Sequence, residues 1–213
     1  MAAASWWAHE ARRCGKQAIV LPVLAALLAS AAVAAGPGAG VVLDRALLSC
    51  ALPTATALVC AAAVAREPML ELHLSLPTPY PRTVARRLAW PGSVASIAAL
   101  ALAGLVAATG HRPGPVVTLL ELAGLTAFLS GAAVWSAVRT GSAAPSAGLV
   151  VAVVLAKLLL IDQVVPEGVG QAIPALLAGA WLTALALRAL GPAGRPGARL
   201  GSGAGAHVGP REA

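Results

Sequence analysis

Charge is what this chain has least of. Only 11% of its residues are charged, against the ~25% typical of soluble domains, while 59% are hydrophobic. Together with a mean hydropathy of +0.83, that excludes a water-soluble globular protein. Large aromatics are scarce too: one Phe, one Tyr and five Trp leave the apolar mass to Ala, Leu and Val. The length is that of one domain, whose core is made against lipid and neighbouring helices instead of water. Acidic residues number eight against fifteen basic ones, a formal charge of +7. The basic residues are scattered between apolar runs, so they read as topology signals and not as a nucleic-acid surface. Cysteines are few and odd in number (Cys14, Cys50 and Cys60), with two in an apolar run, which argues against a disulfide framework or a metal site.

Catalytic motifs are missing as well. No Gly-x-x-x-x-Gly-Lys-Ser/Thr is present to cradle nucleotide phosphates, and Gly194-Arg195-Pro196-Gly197 is low complexity. No His-Glu-x-x-His occurs, and His9, His73, His111 and His207 are too scattered for a metal cluster. Ser130-Gly131 lacks the membrane histidine that a serine protease would need, and Asp44 and Asp162 stand alone where lipid-headgroup transferases carry a row of aspartates. The expectation is a protein with no catalytic site, cofactor or metal of its own.

What is present is a series of six apolar runs, each long enough at ~1.5 Å per residue to cross a ~30 Å hydrocarbon core. They fall at about 18–36, 41–65, 91–109, 116–137, 147–165 and 172–190. The reading is an all-α polytopic membrane protein with a six-span domain over 17–190. Residues 1–16 carry Trp6 and Trp7, then Arg12, Arg13 and Lys16, the pattern of an interfacial helix. Ala32-Val33-Ala34 offers the rival reading of a cleaved signal segment. Gly36 to Gly40 predicts a tight turn. Pro53, among Ser49, Thr54 and Thr56, predicts an interruption of the second span where hydroxyls serve the freed carbonyl. Pro174 is expected in the first turn of the sixth span. The tail over 191–213 is rich in Gly, Pro and Arg and reads as disordered.

The least greasy internal stretch, Arg66 to Trp90, reads as two short helical pieces around a proline hinge. Pro68 suits a first turn, and Met69, Leu72 and Leu76 recur at helical spacing. Pro77, Pro79 and Pro81 end that piece, and Arg82, Arg86 and Arg87 lie on a second piece running into Trp90. From pattern alone this is equally well a basic loop lying on the inner membrane face.

Within it, Glu71-Leu72-His73-Leu74-Ser75-Leu76-Pro77-Thr78 followed by arginines resembles the loop after the second span of ABC type-2 exporter permeases. The motif likeness covers about twenty residues, and the six-span layout covers the chain. Pro79-Tyr80-Pro81 departs from the usual polar and basic residues of that family. The resemblance implies that Glu71, Leu72, Leu74, Ser75, Leu76, Pro77 and Thr78 form a coupling helix seated in a groove of a separate ABC ATPase subunit. It implies a second permease copy, identical or not, with ATP bound by the partner ATPase. The family often has re-entrant helices between spans five and six, where Asp162 to Gln171 allows little more than a turn.

Three ionisable residues lie inside or at the edge of spans: Glu121, Lys157 and Asp162. Charges at such depth are costly and are commonly paired or functional, although a lysine can also snorkel. Matched depth predicts an ion pair between Glu121 and Lys157, with Asp162 as the competing partner. Five residues along one α-helix is a poor spacing for that competitor. A small ion-coupled carrier using these three as a relay, or a non-transporting membrane anchor, are the readings from other classes.

With both termini cytoplasmic in a bacterial inner membrane, twelve of the fifteen basic residues fall on the inner side. Arg45 and Arg112 alone fall outside, and Lys157 lies within a span. Cysteines introduced by Gly38→Cys and Gly201→Cys are therefore expected to label from opposite sides of the membrane, and labelling from the same side would overturn this orientation.

Overall fold

The computed structural model describes residues 16–35, 46–65, 80–109, 114–164 and 168–190. The proposed interfacial helix, the Gly36 to Gly40 turn, the coupling stretch and the tail lie outside the described residues.

Six helices are long and apolar enough to cross a membrane. They are α1 (Gln17–Ala35), α2 (Leu47–Ala65), α3 (Tyr80–Thr109), α4 (Pro115–Thr140), α5 (Ala143–Val164) and α6 (Val169–Ala189). No strand occurs among the described residues, as expected where lipid leaves each backbone polar group to be satisfied within its own segment. The surface is correspondingly apolar: Leu27, Ile97, Leu159, Leu177 and Trp181 are all exposed. In water this would be a liability, but against acyl chains it costs nothing.

Local chemistry places several ends. Helix α4 begins at Pro115, whose missing N–H is no loss in a first turn. It stops at Gly141, which takes φ 66° and returns its N–H to the Ala137 carbonyl. Ser142 then caps α5 by accepting from the Ala144 N–H. This two-residue connection makes α4 and α5 antiparallel neighbours.

Helix α4 is the centre of the bundle. It packs on α2, α5 and α6, with α3 touching it less extensively, while α1 lies against α2 and α3. The packing between α4 and α6 is the tightest, and it is parallel. A Cβ placed on Gly124 would come within 2.7 Å of the Ala172 carbonyl oxygen, and one on Gly131 within 2.5 Å of the Gly179 oxygen. From the other side, a Cβ on Gly179 would collide with the Ala127 backbone. Both pairings advance by seven residues, so glycine lets the two backbones meet over two turns. The buried clusters follow the same alternating order. Ala29, Leu102 and Leu122 meet near one end of the bundle, and Cys60, Val134 and Ala186 near the other.

Three expectations about prolines are corrected. Pro91 does not start the helix that carries span three: one 30-residue helix runs from Tyr80 through Pro91 to Thr109, so the piece bearing Arg82, Arg86 and Arg87 is continuous with it. Pro174 lies in the second turn of α6, because that helix starts at Val169. Span two is irregular near Pro53 as expected, but not at the proline itself. The irregularity sits just before it, as a π-helical turn over Leu47–Ala51, and an α-helix follows from Leu52. The Thr56 hydroxyl donates to the Leu52 carbonyl at 2.8 Å. Pro22, Pro53 and Pro91 are among the most completely buried side chains, packed among neighbouring helices that hold the chain helical across the missing hydrogen bond, whereas Pro174 is exposed and its offset follows only from the earlier start of α6.

The close contact yields a direct comparison. Gly131→Ala is expected to destabilise the protein by roughly 1–3 kcal/mol, since backbone must move to admit the methyl group. Gly104→Ala, where nothing lies within 4 Å of the added carbon, is expected to be neutral or slightly stabilising. Thermal unfolding in detergent measures both, and equal effects would show that the α4–α6 contact is not limiting.

Candidate functional site

Glu121 lies six residues into α4, about 9 Å from its start at ~1.5 Å per residue. Lys157 lies seven residues before the end of α5, at nearly the same depth. Since α4 starts and α5 ends at the same side of the bundle, both belong to one end. The described basic residues Arg86, Arg87, Arg139 and Arg188 belong to the other, at the start of α3 and the ends of α4 and α6. There Arg139 stands over the Trp135 ring, 5.3 Å from its centroid.

The structure brings Glu121 and Lys157 to one cavity of about 390 Å³, floored by α4 and flanked by α5 and α6. Ser49 reaches it from the π-helical turn of α2, and Gln171 from the first turn of α6. Phe128, Val153, Ile161 and Ala178 supply apolar lining.

The Lys157 ammonium is nevertheless held by the competing partner. Its Nζ donates to Asp162 Oδ1 at 2.7 Å and to Oδ2 at 2.9 Å, with both side chains largely buried. The spacing argument against this pair fails because the segment is not α-helical. Lys157–Ile161 forms a π-helical turn, and the Asp162 N–H donates to the Lys157 carbonyl. A turn closed by an i to i+5 bond stacks residue 162 over residue 157, so backbone and side chains join the same two residues. Pairing keeps both charges off lipid.

A second, larger cavity of about 880 Å³ lies among α2, α3, α4 and α6. It is mainly apolar, with hydroxyls at Thr56, Ser96, Thr126, Ser130 and Thr183. Thr183 donates back to the Gly179 carbonyl, whereas the buried Ser130 Oγ has no hydrogen-bond partner among the described residues. Ser130 thus lines an apolar cavity and has no histidine beside it in the lining. No group of three or more His, Cys, Asp or Glu that could hold a metal occurs among the described residues, and Cys50 and Cys60 are buried and in no disulfide.

Of the residues singled out from sequence, Glu121, Lys157 and Asp162 form one neighbourhood. Glu71, Leu72, Leu74, Ser75, Leu76, Pro77 and Thr78 lie outside the described residues. Phe128 and Gln171 escaped notice because each is unremarkable on its own helix, and Ser49 stood out only as a hydroxyl near Pro53. The available signal was a proline four residues beyond Ser49 and another four beyond Gly170, two residues that line this cavity.

Fold and site together define a multi-pass, all-helical membrane protein with polar groups set into an apolar bundle. No known family's profile matches the chain, and neither does any curated protein or solved structure.

The ion pair makes a testable prediction. Lys157→Met or Asp162→Asn alone strands the partner charge at depth and is expected to cost on the order of 3 kcal/mol, whereas the double substitution costs less than either. Yield of folded protein and its unfolding temperature measure the cycle, and strictly additive losses would mean that the two residues act separately.

Proposed function

We propose that the chain is the permease subunit of an ABC-type exporter in a bacterial inner membrane, supplying half of a translocation pathway. A separate cytoplasmic ATPase would bind through residues 67–87. The observation that carries this reading is the length of α3. Thirty residues at ~1.5 Å each give about 45 Å, whereas ~20 residues suffice to span a bilayer. About ten residues, including Arg82, Arg86 and Arg87, are therefore in excess of a span. They follow directly on the stretch from Glu71 to Thr78 that resembles a coupling helix. A push on that stretch would reach span three through rigid helix instead of a slack loop.

The mechanism then has a simple mechanical form. Closure of two ATPases on ATP displaces the coupling stretch, and α3 tilts as a lever. The contacts of α3 with α1 and α2 pass the movement into the bundle. The 880 Å³ cavity, walled partly by α3, would change shape as that helix moves, and a second permease copy would complete the pathway. The chain's own residues bind and move, while nucleotide chemistry belongs to the partner.

Glu71→Arg and Leu74→Asp are each expected to abolish ATP-driven transport while leaving the protein inserted. A reversed or buried charge in a small docking surface costs a few kcal/mol, about a hundredfold or more in affinity. Co-purification of the ATPase and ATP-dependent uptake into inverted vesicles measure this. Unchanged ATPase association in both variants would count against the coupling role, and proton-driven transport without ATP would favour the carrier reading.

A further inference from the structure

We infer that the 880 Å³ cavity is a lateral groove holding one acyl chain of an anionic phospholipid, with the headgroup at the arginine end of the bundle. The groove exists because α3 and α6 both pack on α4 yet barely touch each other. Its floor is α4 with part of α2, and its walls are the facing sides of α3 and α6. It opens sideways to the membrane: Ser96, Leu100, Ala123, Ala180 and Ala184 line it and are all exposed.

The lining suits hydrocarbon. Among the described residues no charged side chain contributes to it, and Gly92, Ala99 and Ala127 leave its surface smooth. Three of its hydroxyls are turned to their own helices: Thr56 donates to the Leu52 carbonyl, Ser96 to that of Gly92 and Thr183 to that of Gly179. A donor already bonded to its own backbone loses nothing when a lipid tail covers it.

The dimensions match one tail. The lining runs from Leu88 to Leu100 on α3 and from Leu176 to Leu187 on α6, each about 17 Å at ~1.5 Å per residue. One leaflet of a ~30 Å hydrocarbon core is about 15 Å deep, so the groove is as long as an acyl chain.

Charge complementarity selects the headgroup. The groove ends beside the arginines: Leu88 lies two residues past Arg86, and Leu187 immediately precedes Arg188. Both arginines are exposed, one on each wall helix, and Arg87 and Arg139 belong to the same end. The described acidic residues, Glu121 and Asp162, lie at the other end. Glu67 and Glu71, in the segment joining α2 to α3, still leave the formal charge from Arg66 to Arg87 at +2. The attraction is that of a net positive surface, and it requires no arginine to be without another partner. Basic surface between membrane helices collects anionic headgroups, each arginine adding roughly fivefold to binding. A second copy inserted the same way would set its own arginines against Arg86 and Arg188, so like charge disfavours it as the occupant.

The test compares two lipids with the same tails and different headgroups. Purified full-length protein, stripped of lipid in detergent, is mixed with equal amounts of dioleoylphosphatidylglycerol and dioleoylphosphatidylcholine. Native mass spectrometry reads what is retained. One phosphatidylglycerol is expected, with about twentyfold preference over phosphatidylcholine. Arg86→Gln and Arg188→Gln are each expected to lower that preference about fivefold, and the double substitution to abolish it. Ala123→Phe, at an exposed position on the floor, fills the groove without altering charge and is expected to abolish retention. The arginine pair carries the test alone if Ala123→Phe does not fold. Equal retention of the two lipids, no retained lipid, undiminished preference in the double arginine variant, or wild-type retention by Ala123→Phe overturns the assignment. A lipid-free dimer that Ala123→Phe dissociates also overturns it, in favour of a second copy. The measurement needs neither ATPase nor transport, so it stands or falls apart from the permease reading.

Discussion

The approach of α4 to α6 is the constraint on which the rest of the bundle depends. At Gly124, Gly131 and Gly179 the two helices meet backbone to backbone, with no room for a methyl group. In a bilayer apolar side chains gain nothing by leaving lipid for one another, so close van der Waals contact must hold helices together. Glycine makes that contact possible, and its parallel register brings the first turns of α4 and α6 to the same end of the bundle. Helix α5, tied to α4 by Gly141 and Ser142, returns to that end beside them. The cavity lined by Glu121 and Lys157 is the space that α5 and α6 leave while both pack on α4.

Helical irregularity in this protein is concentrated where polarity is buried. The π-helical turn at Lys157–Ile161 changes which residues share a face, converting an unfavourable i, i+5 spacing into a chelated ion pair. The turn at Leu47–Ala51 precedes a buried proline and carries Ser49 to the cavity. Pro22 and Pro91, by contrast, are buried within helices that continue through them, because packed neighbours cover what the ring removes. Among the described residues, Pro22, Pro53, Pro91 and Pro174 lie within helices and do not end them.

Charge is divided between the ends. Arginines gather where α3 starts and α4 and α6 finish, while Glu121, Lys157 and Asp162 lie toward the opposite side. One end therefore has the basic character that orients membrane proteins, and the other holds a compact mixed-charge group inside an apolar wall.

The sequence by itself determined the class, the number of spans and, to within a few residues, most of their ends. Runs of Ala, Leu and Val about twenty residues long can satisfy their backbones in lipid only as helices, whatever they pack against. It also singled out Glu121, Lys157 and Asp162, because charge at such depth is conspicuous in any arrangement. It misjudged Pro91, since a proline's effect depends on what packs around it, and Pro174, because α6 starts three residues before the apolar run. It preferred Glu121 over Asp162 as the partner of Lys157, since helical spacing was taken as α throughout and a π turn has no signature in residue order. Only the tertiary structure decided that Ser49, Glu121, Phe128, Lys157 and Gln171, drawn from four helices, share one cavity. Helical periodicity tells which residues share a face of one helix. Which faces meet depends on the register between helices, and here that register follows from where two glycine backbones can touch.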